Sequence, residues 1–186
     1  MTLPKKIQTK IFIRPFRLED LEEVMVIEPS AFGENHWSKQ SFIAELNKPE
    51  GVYFVAQGSD KQLLGYSGFW LLDQEAHITT LAVHPQHRGQ YIGERLLVNN
   101  IIEARRCGAL RLTLEVRASN DAAQKLYLKY GFKTVNTRPH YYQDNYESAL
   151  ILWSDDVTTP EFNILLNERM ATLAKKEEEL AGFSYS

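Results

Sequence analysis

Residues His84–Leu97 read HPQHRGQYIGERLL, and the fold turns on whether this stretch is an anion cradle or a plain connector. Upstream, EAHITTLAVHP (Glu75–Pro85) reads as a strand closed by Pro85. Downstream, from Gly93, Leu96, Leu97, Ile101 and Ala104 recur at helical spacing, and Gly108 suits the C-terminal cap. A strand, a glycine turn and a helix in that order place helix-start N–H groups where phosphate can bind. Two familiar phosphate motifs do not fit. Glu94-Arg95 follows Gly93 where a nucleoside-triphosphate loop has lysine and a hydroxyl residue. The glycine spacing is also wrong for a dinucleotide fingerprint, and no ribose-binding acid follows convincingly. What remains is Arg-Gly-x-x-Ile-Gly, compatible with a pyrophosphate held on amides without metal and equally with a bare connection.

Toward the N-terminus, KIFIRPF reads as a first strand, with Ile11 and Ile13 alternating against polar neighbours. Glu19 and Asp20 suit the first turn of a helix whose Leu21, Val24 and Met25 share a face, and Gly33 breaks it. Ser38 is a cap for a second helix with Phe42, Ile43 and Leu46 inward. GVYFVAQ and LLGYSGFWLL are strands joined by GSDKQ, a hairpin. Toward the C-terminus, LRLTLEVR alternates strictly, sending Leu112, Leu114 and Val116 to one face and Thr113, Glu115 and Arg117 to the other. Ser119 or Asn120 caps the following helix and Gly131 ends it, after which TRPHYYQDNYESALILW supplies two closing strands around a turn. The order is mixed α/β, antiparallel early and strand-helix-strand-helix in the middle. Beyond Trp153, Thr159-Pro160-Glu161 opens a helix striped by Phe162, Leu165, Leu166, Met170 and Leu173. KKEEE in that helix reads as a solvated face.

A chain of 186 residues suits one domain, and 44% hydrophobic with 24% charged residues is an ordinary globular composition. A net charge of −3 provides no basic field for nucleic acid. The lone Cys107 excludes an intrachain disulfide and reads as helix packing. The early lysines precede no apolar run of signal-peptide length, and GFWLL and ALILW are too short to cross a bilayer. The cytoplasm is the expected location, with no membrane partner.

Two further residues carry chemistry. Glu115 lies on the polar side of a buried strand and Tyr127 on the next helix, a pairing that can supply a proton acceptor and donor. The residues alone leave open a plainer reading, an acid paired to Arg117 or Arg105 and a packing tyrosine. His84 and His87 lie three apart with no third ligand close in sequence, so no metal site is expected. His36, His77 and His140 read as structural or substrate-lining.

Taken together, LAVHPQHRGQYIGERLL and LEVRASNDAAQKLYLKYGF followed by YY resemble the GNAT superfamily of acetyl-CoA-dependent N-acetyltransferases. The likeness runs from about Ile11 to Trp153, and HWSKQSF and LEVRASN resemble the members that acetylate protein N-termini. It implies a GNAT fold, a central mixed, mostly antiparallel twisted sheet flanked by helices. The domain is expected over 8–154, with a helical extension over 155–186. By the same likeness, Leu81, Ala82 and Val83 match the strand that pairs with the pantetheine arm. Arg88, Gly89, Gln90, Tyr91, Ile92, Gly93 and Glu94 match the pyrophosphate loop, and Asn120 a coenzyme contact. Glu115 matches the proposed general base, Tyr127 the proposed acid, and Trp37, Tyr141 and Tyr142 positions near the peptide groove.

Two departures stand out. Tyr91 replaces the usual glycine, and Glu94 places a carboxylate beside an anion site. Tyr91 is expected to keep φ negative and turn its side chain outward, and Glu94 to offer only its amide. The implied reaction passes acetyl from acetyl-CoA to the α-amine of a protein N-terminus, most closely the N-terminal alanine of a small-subunit ribosomal protein. It needs no metal, no covalent enzyme intermediate and no nucleic acid, and a monomer or weak dimer is expected. A lysine side chain, a polyamine or an aminoglycoside is the alternative acceptor, and a non-catalytic acetyl-CoA-binding module the alternative class.

Overall fold

The computed structural model describes residues 10–182. The expected domain start at residue 8 and the last four residues of the expected extension lie outside that range. Seven strands form one sheet in the order β1-β2-β3-β4-β5-β7-β6. They are β1 (Phe12–Pro15), β2 (Gly51–Gln57), β3 (Leu63–Leu72), β4 (Glu75–Val83), β5 (Arg111–Arg117), β6 (Phe132–Arg138) and β7 (Ala149–Ser154). The helices are α1 (Leu21–Phe32), α2 (Lys39–Leu46), α3 (Ile92–Arg106), α4 (Asp121–Lys129) and α5 (Pro160–Gly182).

Every neighbouring pair is antiparallel except β4 with β5. A parallel pair needs a crossover, and α3 provides it. The β4–β5 pairing is brief: Glu75, Ala76 and His77 stand opposite Arg111, Leu112 and Thr113, and there it ends. Beyond that point β5 pairs only with β7. The sheet therefore splays open at the C-terminal ends of its two central strands.

Alternation along β2 divides the core. Tyr53 and Val55 pack with Leu21, Val24, Ile27 and Phe42 of α1 and α2. Phe54 joins the main cluster and Ala56 a smaller one, both built on α3. From α3, Leu97, Ile101 and Ala104 enter the main cluster, and Leu96 and Ile92 the smaller one. Gly33 ends α1 at φ +59, and the Ser38 side chain accepts from Ser41 N–H at the start of α2. Both follow the sequence pattern.

Other expectations need correction. Ile43 is 38% exposed, because α2 is two turns long and turns Phe42, with Leu46 beside it, to the core. Cys107 is exposed, since it caps α3 beyond the last inward turn. The first closing strand begins at Phe132, right after Gly131 at φ +81, and 139–148 form a loop. That loop carries β7 back between β5 and β6.

Helix α5 is capped as its sequence indicates, with Phe162 N–H donating to Thr159 Oγ1 at 3.2 Å. Phe162, Leu166 and Leu173 join the main core cluster, whereas Met170 stays 38% exposed. Polar anchors hold the rest. Arg95 of α3 pairs with Glu177, Arg105 donates to Asn163, and Arg169 Nε donates to the Lys129 carbonyl at 3.1 Å.

Candidate active site

The turn between β4 and α3 opens on a cleft of about 610 Å³, lined by Leu81, Ala82 and Val83 on one wall and Arg88, Gly89 and Tyr91 to Glu94 on another. No side chain caps α3, so the amides of its first turn are free of helical partners. Gly89 stands at φ +74, a left-handed conformation that favours glycine. Ile92 is buried against Leu64 and Leu96, which fixes the start of the helix.

Tyr91 departs from the expectation. It is the N-cap and lies at φ +60, not in continuing helical geometry. A left-handed residue here turns the chain sharply enough to bring the loop amides and the helix amides together. The conformation costs a bulky residue about 1–2 kcal/mol. Glu94 turns its side chain to the end of α4. Its carboxylate is 8% exposed and accepts from Tyr130 Oη at 2.7 Å and from the Lys129 ammonium, so its charge is matched. Gln90 is also buried, and Arg88 reaches the carbonyls of Val83 and Ser30 at 3.4 and 3.2 Å.

A second, narrower cleft of about 150 Å³ occupies the splay between β4 and β5. Leu81, Asn120, Ala123 and Leu126 line both clefts, so the two are continuous. Glu115, Tyr127 and Tyr142 line the narrow part. The two candidate proton-transfer residues are thus brought to one place, at the far end of a passage from the helix-start amides.

His77 is the residue sequence reasoning left aside. Its Nε2 lies 3.0 Å from Glu115 Oε2, while Arg138 Nη1 donates to Glu115 Oε1 at 3.1 Å. Its ring stacks at 6.2 Å on Trp70, its cross-strand partner. The hydrogen bond from His77, against some opposition from burial, holds the Glu115 carboxyl below the usual glutamate range. Burial pushes the Tyr127 phenol well above the usual tyrosine range. The only signal available in the sequence was a histidine on the strand preceding the turn, and its meaning depended on the β4–β5 register.

Asn120 caps α4, its Oδ1 accepting from Ala123 N–H at 3.1 Å. Burial pushes Tyr142 up to about 12, and the Arg117 guanidinium sits 3.8 Å from its ring centroid. Tyr141 packs edge-on against Tyr142 and is 43% exposed. The 139–148 loop is tied down by Arg117 Nη2 donating to Asp144 at 2.8 Å and by Ser119 N–H donating to Glu147 at 2.6 Å. Trp37 is placed differently: its backbone N–H donates to Glu28 at 2.7 Å and its ring packs on Phe42, outside both clefts. Among the described residues no group of three or more His, Cys, Asp or Glu is arranged to hold a metal, and no helix is long and apolar enough to cross a membrane.

Residues 18–132 match the Acetyltransferase (GNAT) family. A Bacillus subtilis (strain 168) protein, named as a candidate ribosomal protein bS18-alanine N-acetyltransferase, is 41% identical over 146 residues, 78% of this chain and 96% of its own length. An N-alpha-acetyltransferase of Sulfurisphaera tokodaii is 34% identical over 152 residues, covering 75% of this chain and 90% of that one. Among solved structures, the ribosomal-protein-S18-alanine N-acetyltransferase of Escherichia coli superposes with a TM-score of 0.73 at 29% identity, over 82% of this chain and 97% of that one.

Proposed function

Because the chain belongs to the GNAT acetyltransferase family, we propose that it acetylates protein N-termini, with the N-terminal alanine of ribosomal protein bS18 as its main substrate. The observation that carries this reading is the continuity of the two clefts, from free helix-start amides to Glu115. In this reading residues 8–154 are the acetyltransferase domain and 155–186 a helical extension. The N-terminal peptide is the partner, and neither nucleic acid nor membrane takes part.

The residues present fit acetyl-CoA. The amides of Ile92, Gly93 and Glu94, together with the Gly89 turn, offer the diphosphate a donor array at the positive end of α3. The edge of β4 at Leu81 to Val83 would hold the pantetheine arm, and the Asn120 amide nitrogen, which its cap leaves free, would contact the coenzyme. Acetyl-CoA supplies the acetyl group as an activated thioester.

The chain's own groups then manage protons. An α-ammonium has pKa near 8, well above the lowered Glu115 carboxyl, so lasting transfer onto Glu115 is uphill. Glu115 draws in and orients the ammonium and, directly or through water, accepts its proton in passing as the amine attacks. His77, donating to Glu115 through Nε2, holds that carboxylate in place. Tyr127, whose phenol burial pushes upward, donates to the departing sulfur. Tyr141 and Tyr142 flank the incoming peptide. Trp37 acts at one remove, by ordering the α1–α2 segment through Glu28.

Mass spectrometry of peptides incubated with the protein and acetyl-CoA tests the reading. An Ala-starting bS18 peptide is expected to gain one acetyl group, ahead of N-terminally blocked lysine peptides, polyamines and aminoglycosides. Acetylation of any of those in preference, or of none, overturns it.

A further inference from the structure

We infer that the C-terminal helix completes the coenzyme site, with the Lys176 ammonium as a ligand for phosphate in the coenzyme's nucleotide half. The inference rests on the acetyl-CoA reading above and adds a residue from a helix beyond the 18–132 family match.

Helix α5 runs along α3 in the opposite sense. Asn163 near its start meets Arg105 in the last turn of α3, and Glu177 meets Arg95 in the first. The far end of α5 is thereby delivered to the helix start where the coenzyme's phosphates belong. There Lys176 Nζ lies 5.7 Å from the centroid of the Tyr91 ring, and Tyr91 lines the larger cleft.

The charges nearby make this lysine the one suited to the task. The Lys129 ammonium is taken up by Glu94, and Arg95 by Glu177. Lys176 has no carboxylate partner among the described residues, and an ammonium over a ring keeps N–H groups for an oxyanion. Glu178 and Glu179 are exposed and point their charge to solvent. The strained tyrosine also finds a use. A side chain at φ +60 is costly where glycine would be free, and its ring is the platform that holds Lys176 at the rim of the cradle.

Calorimetry on the full chain tests this with coenzyme A, dephospho-coenzyme A and pantetheine as ligands. Lys176→Ala is expected to weaken coenzyme A by roughly 5-fold at low salt, the scale of one exposed charge contact. The deficit shrinks at high salt, pantetheine is unaffected and the melting temperature is unchanged. Lys176→Arg keeps most of the affinity, and Lys175→Ala, which removes an exposed charge one residue away, stays within about 2-fold. A deficit that disappears with dephospho-coenzyme A assigns Lys176 to the 3′-phosphate, and one that persists assigns it to the diphosphate. Unchanged coenzyme A affinity in Lys176→Ala, or an equal loss for pantetheine, overturns the inference alone. Failure of the unaltered protein to bind coenzyme A overturns the acetyl-CoA reading and this inference with it.

Discussion

His77 Nε2 and Glu115 Oε2 meet at 3.0 Å, just past the rung where β4 and β5 cease to pair. The contact ties two separating strands together at the mouth of the wedge and keeps the carboxyl ionised. Glu115→Gln removes the anion and keeps the shape. Turnover on an Ala-starting peptide is expected to fall by about 10²-fold or more, the scale of lost acid–base assistance, with the circular dichroism spectrum unchanged. Activity within a few-fold of the unaltered protein removes Glu115 from the mechanism.

His77→Ala withdraws the hydrogen bond that does most to lower the Glu115 carboxyl. A carboxyl with a lowered pKa stays charged further into acid, so losing the bond moves protonation to higher pH. The acid limb of the kcat/KM profile is expected to shift upward in pH. A profile that drops uniformly, with its limbs in place, assigns His77 to packing instead.

Tyr127→Phe deletes only the hydroxyl of a largely buried residue that lines the narrow cleft. Stability is therefore expected to change by less than about 1 kcal/mol. Turnover is expected to drop by about 10²-fold with little change in KM for the peptide. A large loss of stability with normal turnover in the folded fraction reverses the assignment.

Glu28 contributes to the pH dependence of stability. It is 1% exposed, and burial raises its carboxyl to about 7, although Trp37 N–H donates to one oxygen. The unfolded chain releases this proton near pH 4.5 and the folded chain near 7, so between those values the folded form binds more protons. Stability therefore declines as pH rises through that window, by about 2 kcal/mol after allowance for partial solvation. Urea melts at pH 5.5 and 8 are expected to show the decline, and Glu28→Gln to abolish it.

Leu166 tests what α5 does for the domain. It is 3% exposed within the main cluster, and Leu166→Ala is expected to cost about 2–4 kcal/mol. Chemical denaturation measures it. A cost below about 1 kcal/mol marks α5 as a loosely docked appendage.

Much of this arrangement is legible in the sequence because local chemistry settles it. Glycines at 33, 108 and 131, the Ser38 and Asn120 caps and the alternation of Leu112, Leu114 and Val116 each act within a few residues. The features that escape are those set by distant partners. The Tyr91 backbone conformation follows from how the turn must join a helix already pinned by Ile92. The His77–Glu115 contact depends on a strand register fixed by α3 and β7. The contact between Lys176 and Tyr91 depends on the path of a helix whose KKEEE segment looks, by itself, like a solvent-facing surface.

The placement of β7 also has a consequence for synthesis. The strand bearing Glu115 gains its second neighbour only when residues 149–154 arrive, after the chain has already laid down β6. A nascent polypeptide stopped short of that point leaves one rim of β5 bare, open to wrong pairing. The pairing of β5 on both sides, and with it the backing of the wedge around Glu115, thus waits for residues 149–154.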